Sequence, residues 1–404
     1  MSAANVPTSS QHVSLNVGKV RKRIRAVCLT VIIVNFSLLL SPFFKRDHRF
    51  MGGDYMGGDF AAFYYAGDDL NHGTRLYQPG AFQEVTAKGR PNEALPFLNT
   101  PFFGLLFQPL ALLPYPAAYA VWMLIALAGY IFGFQLLWEV SRLPPDQKMD
   151  ALLLVLAFAP FQRYTLGAGQ QAWFGFFWLA LTVNFESRQK DFFAGLALSV
   201  CLYKPTLLLL ILPALLLRGR FRLLSGFAVG ALGLALISIL TVGIEGCMDY
   251  LNLMFSAVGD KTSRLPSFPL WKYVDVVSFF TLLLRKSWGI WLFLVAWAAL
   301  LIRRPKINES IAWSLPVNLY TPMYDVTLAV IPALVTWRNT SRQKLIYAAL
   351  FVLPWFSEMV ARKTGIQLMF VALVAFALSS KARVFDKSVS ERIRLTRAVK
   401  ENEI

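Results

Sequence analysis

From residue 26 onward the chain is a series of uncharged apolar runs separated by short joints rich in Lys and Arg. This alternation constrains the fold more than any motif does. The first run, 26–44, follows Lys19, Arg21, Lys22, Arg23 and Arg25 and is long enough to cross about 30 Å of hydrocarbon. It lacks an A-x-A-like cleavage site, so it reads as a retained signal anchor. Its basic flank places the N-terminus in the cytoplasm by the positive-inside rule. Further runs lie at 117–138, 151–164, 170–185, 192–203, 206–217, 223–242, 288–302, 311–319, 326–337, 345–356 and 366–378. Together they predict an all-α polytopic membrane protein of about 12 transmembrane helices, several shorter than the roughly 20 residues of a straight span.

The charges agree with that reading. The 404 residues are 56% hydrophobic and 16% charged, too apolar for a soluble enzyme or a disordered tail. A net charge of +17 would ordinarily suggest nucleic acid. Here most of it falls on the leader 1–25, the tail 381–404 and alternate joints, including Arg218, Arg220 and Arg222 and the pair Arg303 and Arg304. Those positions are cytoplasmic if every run crosses, and no nucleic-acid partner is expected. A single span over 192–217 would turn the Arg218 cluster outward, so two spans meeting at Lys204 and Pro205 are expected. The transmembrane domain then covers 26–380, with outer loops at 45–115 and 243–287 and both termini cytoplasmic. The apolar stretches 102–113 and 271–284 are too short to cross and are expected to lie on or dip into the outer face. Cys28, Cys201 and Cys247, with His12, His48 and His72, have no metal or redox spacing.

Candidate chemistry collects at the outer face. The first outer loop carries Gly52-Gly53-Asp54 and Gly57-Gly58-Asp59, then Phe60 and the run Phe63-Tyr64-Tyr65-Ala66-Gly67. Asp59 stands where it would cap a short aromatic helix ending near Leu70, or where it would serve as a general base. Asn99 precedes Pro101, Gln170 and Gln171 open a span, and Lys204-Pro205 joins two others. Asp260, Lys261 and Arg264 lie in the second loop, and Tyr324-Asp325 follows Pro322. Ionisable residues flanked by apolar spans are expensive and are functional candidates. Lys204 would either snorkel to headgroups or face a ligand, and Asp325 would cap the next helix or join the site. A carboxylate, a cation and side-chain amides suit transfer of a sugar from a lipid phosphate. Asp59 would take the acceptor proton, and Lys204 with Arg264 would clamp the departing phosphate. No Gly-rich phosphate loop points to a nucleotide-driven enzyme or pump.

These residues resemble glycosyltransferase family 87, polyprenol-phosphate-mannose-dependent enzymes of the GT-C superfamily. The resemblance rests on the anchor, Gly58-Asp59-Phe60 with Tyr64-Tyr65-Ala66-Gly67, and Gly73-x-x-x-Tyr77-x-Pro79. It continues through Thr100-Pro101-Phe102-Phe103, Gln108-Pro109-Leu110, Leu113-Pro114, Gly169-Gln170, Lys204-Pro205 and Pro322-x-Tyr324-Asp325. It implies a GT-C-type fold with outer juxtamembrane helices in a bacterial plasma membrane. It also implies inverting transfer of a hexose, typically mannose, from a polyprenyl phosphate to a lipid or glycan acceptor, with no cofactor and no obligatory metal. Asp59 is the implied base, in register with the Tyr-Tyr-Ala-Gly run, with Asp54 its competitor in the doubled Gly-Gly-Asp. Asp54, Tyr64, Asn99, Gln170, Gln171, Tyr324 and Asp325 are the expected substrate contacts. The family often shows Tyr-Pro-Pro where this chain has Asn99-Thr100-Pro101. The alternative is a transporter or flippase of a lipid-linked glycan, although transporters gather polar residues near the midplane rather than at one face.

Overall fold

The computed structural model describes residues 9–45, 48, 56–77, 97–141, 143–261, 269–284, 288–337 and 340–380. Among the described residues the chain is helical, with one isolated antiparallel bridge between Tyr273 and Pro322. Three stretches are long and apolar enough to cross a membrane: Val20–Phe44, Tyr115–Val140 and Phe221–Ser256. Ser341–Trp355 and Ser357–Thr364 add a fourth if this pair, bent by 70°, is taken as one span. The expected 12 crossings are therefore not present as 12 full-length helices. The other runs fold as shorter pieces such as Asp191–Tyr203, Pro205–Leu217, Gly289–Ile302 and Leu368–Ser379. Hydropathy registers burial, whereas length depends on where Pro and polar residues interrupt the backbone ladder.

The principal helices are α1 (Ser9–Leu40), α2 (Phe60–Asn71), α3 (Tyr115–Val140), α4 (Lys148–Leu156), α5 (Ala172–Ser187), α6 (Asp191–Ser199), α7 (Ile211–Leu217) and α8 (Phe221–Lys261). They continue as α9 (Val276–Leu284), α10 (Gly289–Ile302), α11 (Ile307–Trp313), α12 (Val330–Val335), α13 (Ser341–Val352), α14 (Ser357–Thr364) and α15 (Leu368–Ser379). The helical ladder breaks at Gly243 (φ 72°, ψ 175°), where the second outer loop was expected to begin, and a second helix follows to Lys261. The 271–284 stretch dips inward, with Val276, Val277, Ser278 and Phe279 of α9 buried and Leu283 and Leu284 exposed. The 102–113 stretch is a broken helix, Pro101–Gly104, Leu105–Phe107 and Gln108–Ala111, packed on α2.

Ion pairs identify one end of the bundle. Arg21 binds Asp146 at 2.7 Å and Asp150 at 2.6 Å, joining the flank of α1 to the start of α4. Arg220 binds both Glu186 (2.8 Å) and Asp191 (3.0 Å), and Arg218 donates to the Arg304 carbonyl at 2.9 Å. Since Arg220 follows α7 and Asp191 begins α6, the 191–217 segment leaves this end and returns to it as a hairpin with Lys204 at its tip. This supports the two-segment reading of that run. The arms of the hairpin lie against α8: a Cβ at Gly195 would meet the Leu223 carbonyl at 1.9 Å, and one at Gly226 the Phe192 carbonyl at 2.0 Å. Small residues permit this backbone approach, which stabilises helix pairs where no hydrophobic drive separates lipid from protein.

The 26 residues of α3 rise about 39 Å and connect the two ends. Glu139 at one terminus pairs with Arg188, while Tyr115 at the other donates to the carbonyls of Met56 (3.1 Å) and Gly57 (2.6 Å). The second end is an aromatic platform. Phe63 stacks on Phe107 at 5.1 Å, and Phe107 meets Trp122 at 4.8 Å and Phe103 at 5.2 Å. Such pairs contribute about 0.5–1.5 kcal/mol each beyond burial, and they fix α2 to the bundle.

Candidate active site

Asp59 occupies the N-cap position of α2, yet its side chain caps nothing. Gln170 is instead the polar side chain that favours the charged form of its carboxyl, and Lys272 is the cation acting on it. Burial pushes this carboxyl above its ordinary value, and Gln170 and Lys272 pull it back. The backbone assembles this contact. Phe60 N–H donates to the Ala168 carbonyl at 3.0 Å, and Trp122 Nε1 donates to the Gly169 carbonyl at 2.8 Å. Gly169 (φ 77°) allows the turn, since a Cβ there would meet Phe60 Cβ at 2.5 Å. The turn follows a π-helical stretch, Pro160–Gly167. Such irregular turns are rare and recur at functional sites. It ends with Gln170 N–H donating to the Tyr164 carbonyl at 3.0 Å.

The second cluster forms where two hairpin tips meet. Pro205 biases the preceding residue away from helix, and Lys204 is extended (φ −138°, ψ 83°) between the 3₁₀ turns Val200–Tyr203 and Pro205–Leu208. Its side chain does not snorkel: it is 7% exposed and paired with Asp325, which is 0% exposed. Lys204 Nζ also lies 3.5 Å from the Tyr324 hydroxyl, and 5.1 Å and 4.6 Å from the ring centroids of Tyr320 and Tyr324. Asp325 therefore holds Lys204 instead of capping a helix, and its Oδ1 is buried without a hydrogen-bond partner among the described residues.

The start of the apolar stretch 271–284 joins the two clusters. Asp275 accepts from Ser278 N at 2.8 Å and Thr321 N at 2.9 Å, pinning the 314–322 turn to the start of α9. Tyr273 then meets Tyr320 at 5.0 Å between ring centroids, and Tyr320 and Tyr324 both face Lys204 Nζ. The Asp59 charge acts on all three rings. A carboxyl, an amide, a group of phenols and a buried ammonium thus occupy one end of the bundle. The set can accept a proton, stack on a sugar ring and stabilise an anion.

Of the predicted site residues, Asp59, Gln170, Lys204, Tyr324 and Asp325 are brought together. Gln171 is buried beside them at the start of α5, and its Oε1, like that of Gln170, has no donor among the described residues. Asn99 supports the site from behind: its side-chain amide donates to the Tyr203 carbonyl at 3.1 Å, and its own carbonyl accepts from Tyr77. Tyr64 braces the platform, donating to the Leu113 carbonyl at 2.9 Å. Asp54 and Arg264 lie outside the described residues. Sequence reasoning missed Lys272, Tyr273, Asp275, Tyr320 and Glu358. It also passed over Arg163, an ionisable residue inside an apolar run, which is the same signal that singled out Lys204.

The family model described as glycosyltransferase family 87 matches residues 97–319, more than half of the chain. The match includes Asn99, Gln170, Lys204, Lys272 and Tyr273 and stops short of Asp59 on one side and Asp325 on the other. No curated protein and no solved structure matches the chain. The site end, built from side-chain amides, phenols and charges at broken helices, lies mostly within the matched stretch, and the chain belongs to glycosyltransferase family 87.

Proposed function

We propose that this membrane glycosyltransferase moves a hexose, with mannose expected, from a polyprenyl-phosphate sugar to a lipid or glycan acceptor. The transfer occurs at the outer face of a bacterial plasma membrane, with both termini in the cytoplasm. The observation that carries the reading is Asp59, a carboxyl freed from capping duty and set by the Phe60–Ala168 backbone bond against the turn that carries Gln170, at the end of the bundle opposite the basic joints. In the transfer, an acceptor hydroxyl gives its proton to Asp59 and its oxygen bonds to the anomeric carbon. The bond from that carbon to the phosphate oxygen breaks with inversion, and the lipid phosphate leaves with the bonding pair. Lys204, kept in place by Asp325, is the cation facing the departing phosphate. Tyr320 and Tyr324 offer stacking faces, and the free acceptor oxygens of Gln170 and Gln171 suit sugar hydroxyls. Family membership weighs against the transporter alternative.

Purified protein in lipid, given radiolabelled polyprenyl-phosphate-mannose and a panel of envelope acceptors, should form labelled glycolipid. Asp59→Asn should reduce the rate by about 10²–10⁴ with normal expression. Undiminished transfer by that variant would overturn the base assignment.

A further inference from the structure

Three exposed cations gather on the flank of Asp59 away from Lys204. Arg163 leaves the π-helical stretch and donates to the carbonyls of Pro354 (3.3 Å) and Trp355 (3.5 Å). Its guanidinium lies over the rings of Tyr164 and Trp355 at 5.5 Å and 6.0 Å. Lys272 and Arg362 both lie over Trp271, at 5.3 Å and 5.6 Å. The Gln367 amide ties that residue to the start of α15 by donating to the Trp271 carbonyl at 2.8 Å. Arg362 sits on α14, the short helix that turns 70° from α13. Residues distant in the chain thus build one shelf of two indoles and three cations.

Unlike the cations at the basic end, none of the three forms an ion pair among the described residues. The carboxyls on which their charge acts are Glu358, affected by Arg163 and Lys272, and Asp59, affected by Lys272. Lys272 directly precedes Tyr273, and the π-helical stretch that carries Arg163 leads into the turn bonded to Phe60, so the shelf adjoins the candidate active site. Glu358 is one carboxyl facing two of the three cations, so the shelf keeps a net positive charge that an anion would offset. Indoles at such a position favour the headgroup level of a bilayer, and basic clusters there recognise phosphate. Lys204 cannot play this receiving role alone, because drawing it from Asp325 would leave a buried carboxylate uncompensated.

We propose that Arg163, Lys272 and Arg362, framed by Trp271 and Trp355, form a landing site for the phosphate of a polyprenyl-phosphate lipid beside Asp59. The inference rests on the donor reading above. The lipid phosphate lands here first, and the intact donor, sugar and phosphate together, then moves to the Asp59 and Lys204 side for transfer.

The test uses the full chain in nanodiscs of zwitterionic lipid with fluorescent polyprenyl phosphate as the probe. The Arg163→Gln/Lys272→Met/Arg362→Gln variant should bind on the order of 100-fold more weakly, since each basic group at a membrane surface contributes about a factor of five. Lys363→Gln, which removes a neighbouring exposed cation that covers neither indole, should bind like the unaltered chain. The charge-keeping Lys272→Arg should retain most of the affinity, and thermal unfolding reports whether each variant is folded. Equal binding by the folded triple variant overturns the landing site and leaves the donor reading intact. Failure of the unaltered chain to bind the probe overturns the donor reading itself. Displacement of the probe by inorganic phosphate, or by an equal mole fraction of phosphatidylglycerol, overturns the assignment to this lipid.

Discussion

Arg220 with Glu186 and Asp191, and Lys204 with Asp325, are both ion pairs between helices, but they occupy different physical settings. Arg220 is 29% exposed and divides its guanidinium between two carboxylates at a joint. Lys204 and Asp325 are 7% and 0% exposed and stand at a break in two hairpins. The first set closes a turn where Arg220 is partly exposed and has a second carboxylate to pair with if Glu186, itself largely buried, is lost. The second holds two charges away from water, where each is tolerated only because of the other. Abundant charge in this chain orders its basic end, whereas the few charges at the opposite end are those the fold has had to accommodate.

Removing one partner of the buried pair tests this contrast most severely. Asp325→Ala should destabilise the protein by about 3–5 kcal/mol, because Lys204 would stay buried without a counter-ion. The double variant Lys204→Met/Asp325→Leu should recover most of that stability while transferring no sugar. Denaturation in detergent measures both, and a single variant as stable as the unaltered chain would erase the distinction between the pairs.

Activity against pH gives the next test. Asp59 acts as a base only when deprotonated, so the rate should fall as pH drops through its raised value. Gln170→Ala removes the polar neighbour that favours the charged form, so the acid limb should move to higher pH. An acid limb that stays in place would separate Gln170 from the base. The smallest effect is expected at the basic end. Arg220→Gln should lose about 1–2 kcal/mol, between surface and buried pairs, with transfer per folded molecule unchanged. A loss comparable to that of Asp325→Ala would show the two settings to be equivalent.

Much of the scaffold was legible in the sequence. The runs 26–44 and 117–138 are continuous and uncharged, and each lies within a long helix. Pro205 marked the hairpin tip because proline restricts the residue before it. The run ending at 242 stops where Gly243 breaks the helical backbone, and what hydropathy did not show is that a second helix follows at once. Asp59, Gln170, Lys204 and Asp325 were each legible as polar residues at apolar boundaries. The pairing of Lys204 with Asp325 was not, because its partners are 121 positions apart and nothing local encodes the contact. Lys272 and Tyr273 were hidden for the opposite reason. They lie at the start of the apolar stretch 271–284, where a cation beside an indole reads as a boundary residue, and only the packing of α14 and the 314–322 turn around them gives them a special setting.

The hairpin that presents Lys204 has one further consequence. Each arm holds about 13 residues and rises about 20 Å at helical pitch, well under the thickness of an average hydrocarbon layer. A rigid tip of that height, tied to the basic end by Arg220, stops short of the opposite headgroups. Tyr203, Lys204 and Leu207 are buried by neighbouring elements, so protein rather than lipid surrounds the tip. In a bilayer, acyl-chain length would set the distance between that tip and the headgroup plane, and with it the path a lipid phosphate travels to the buried lysine.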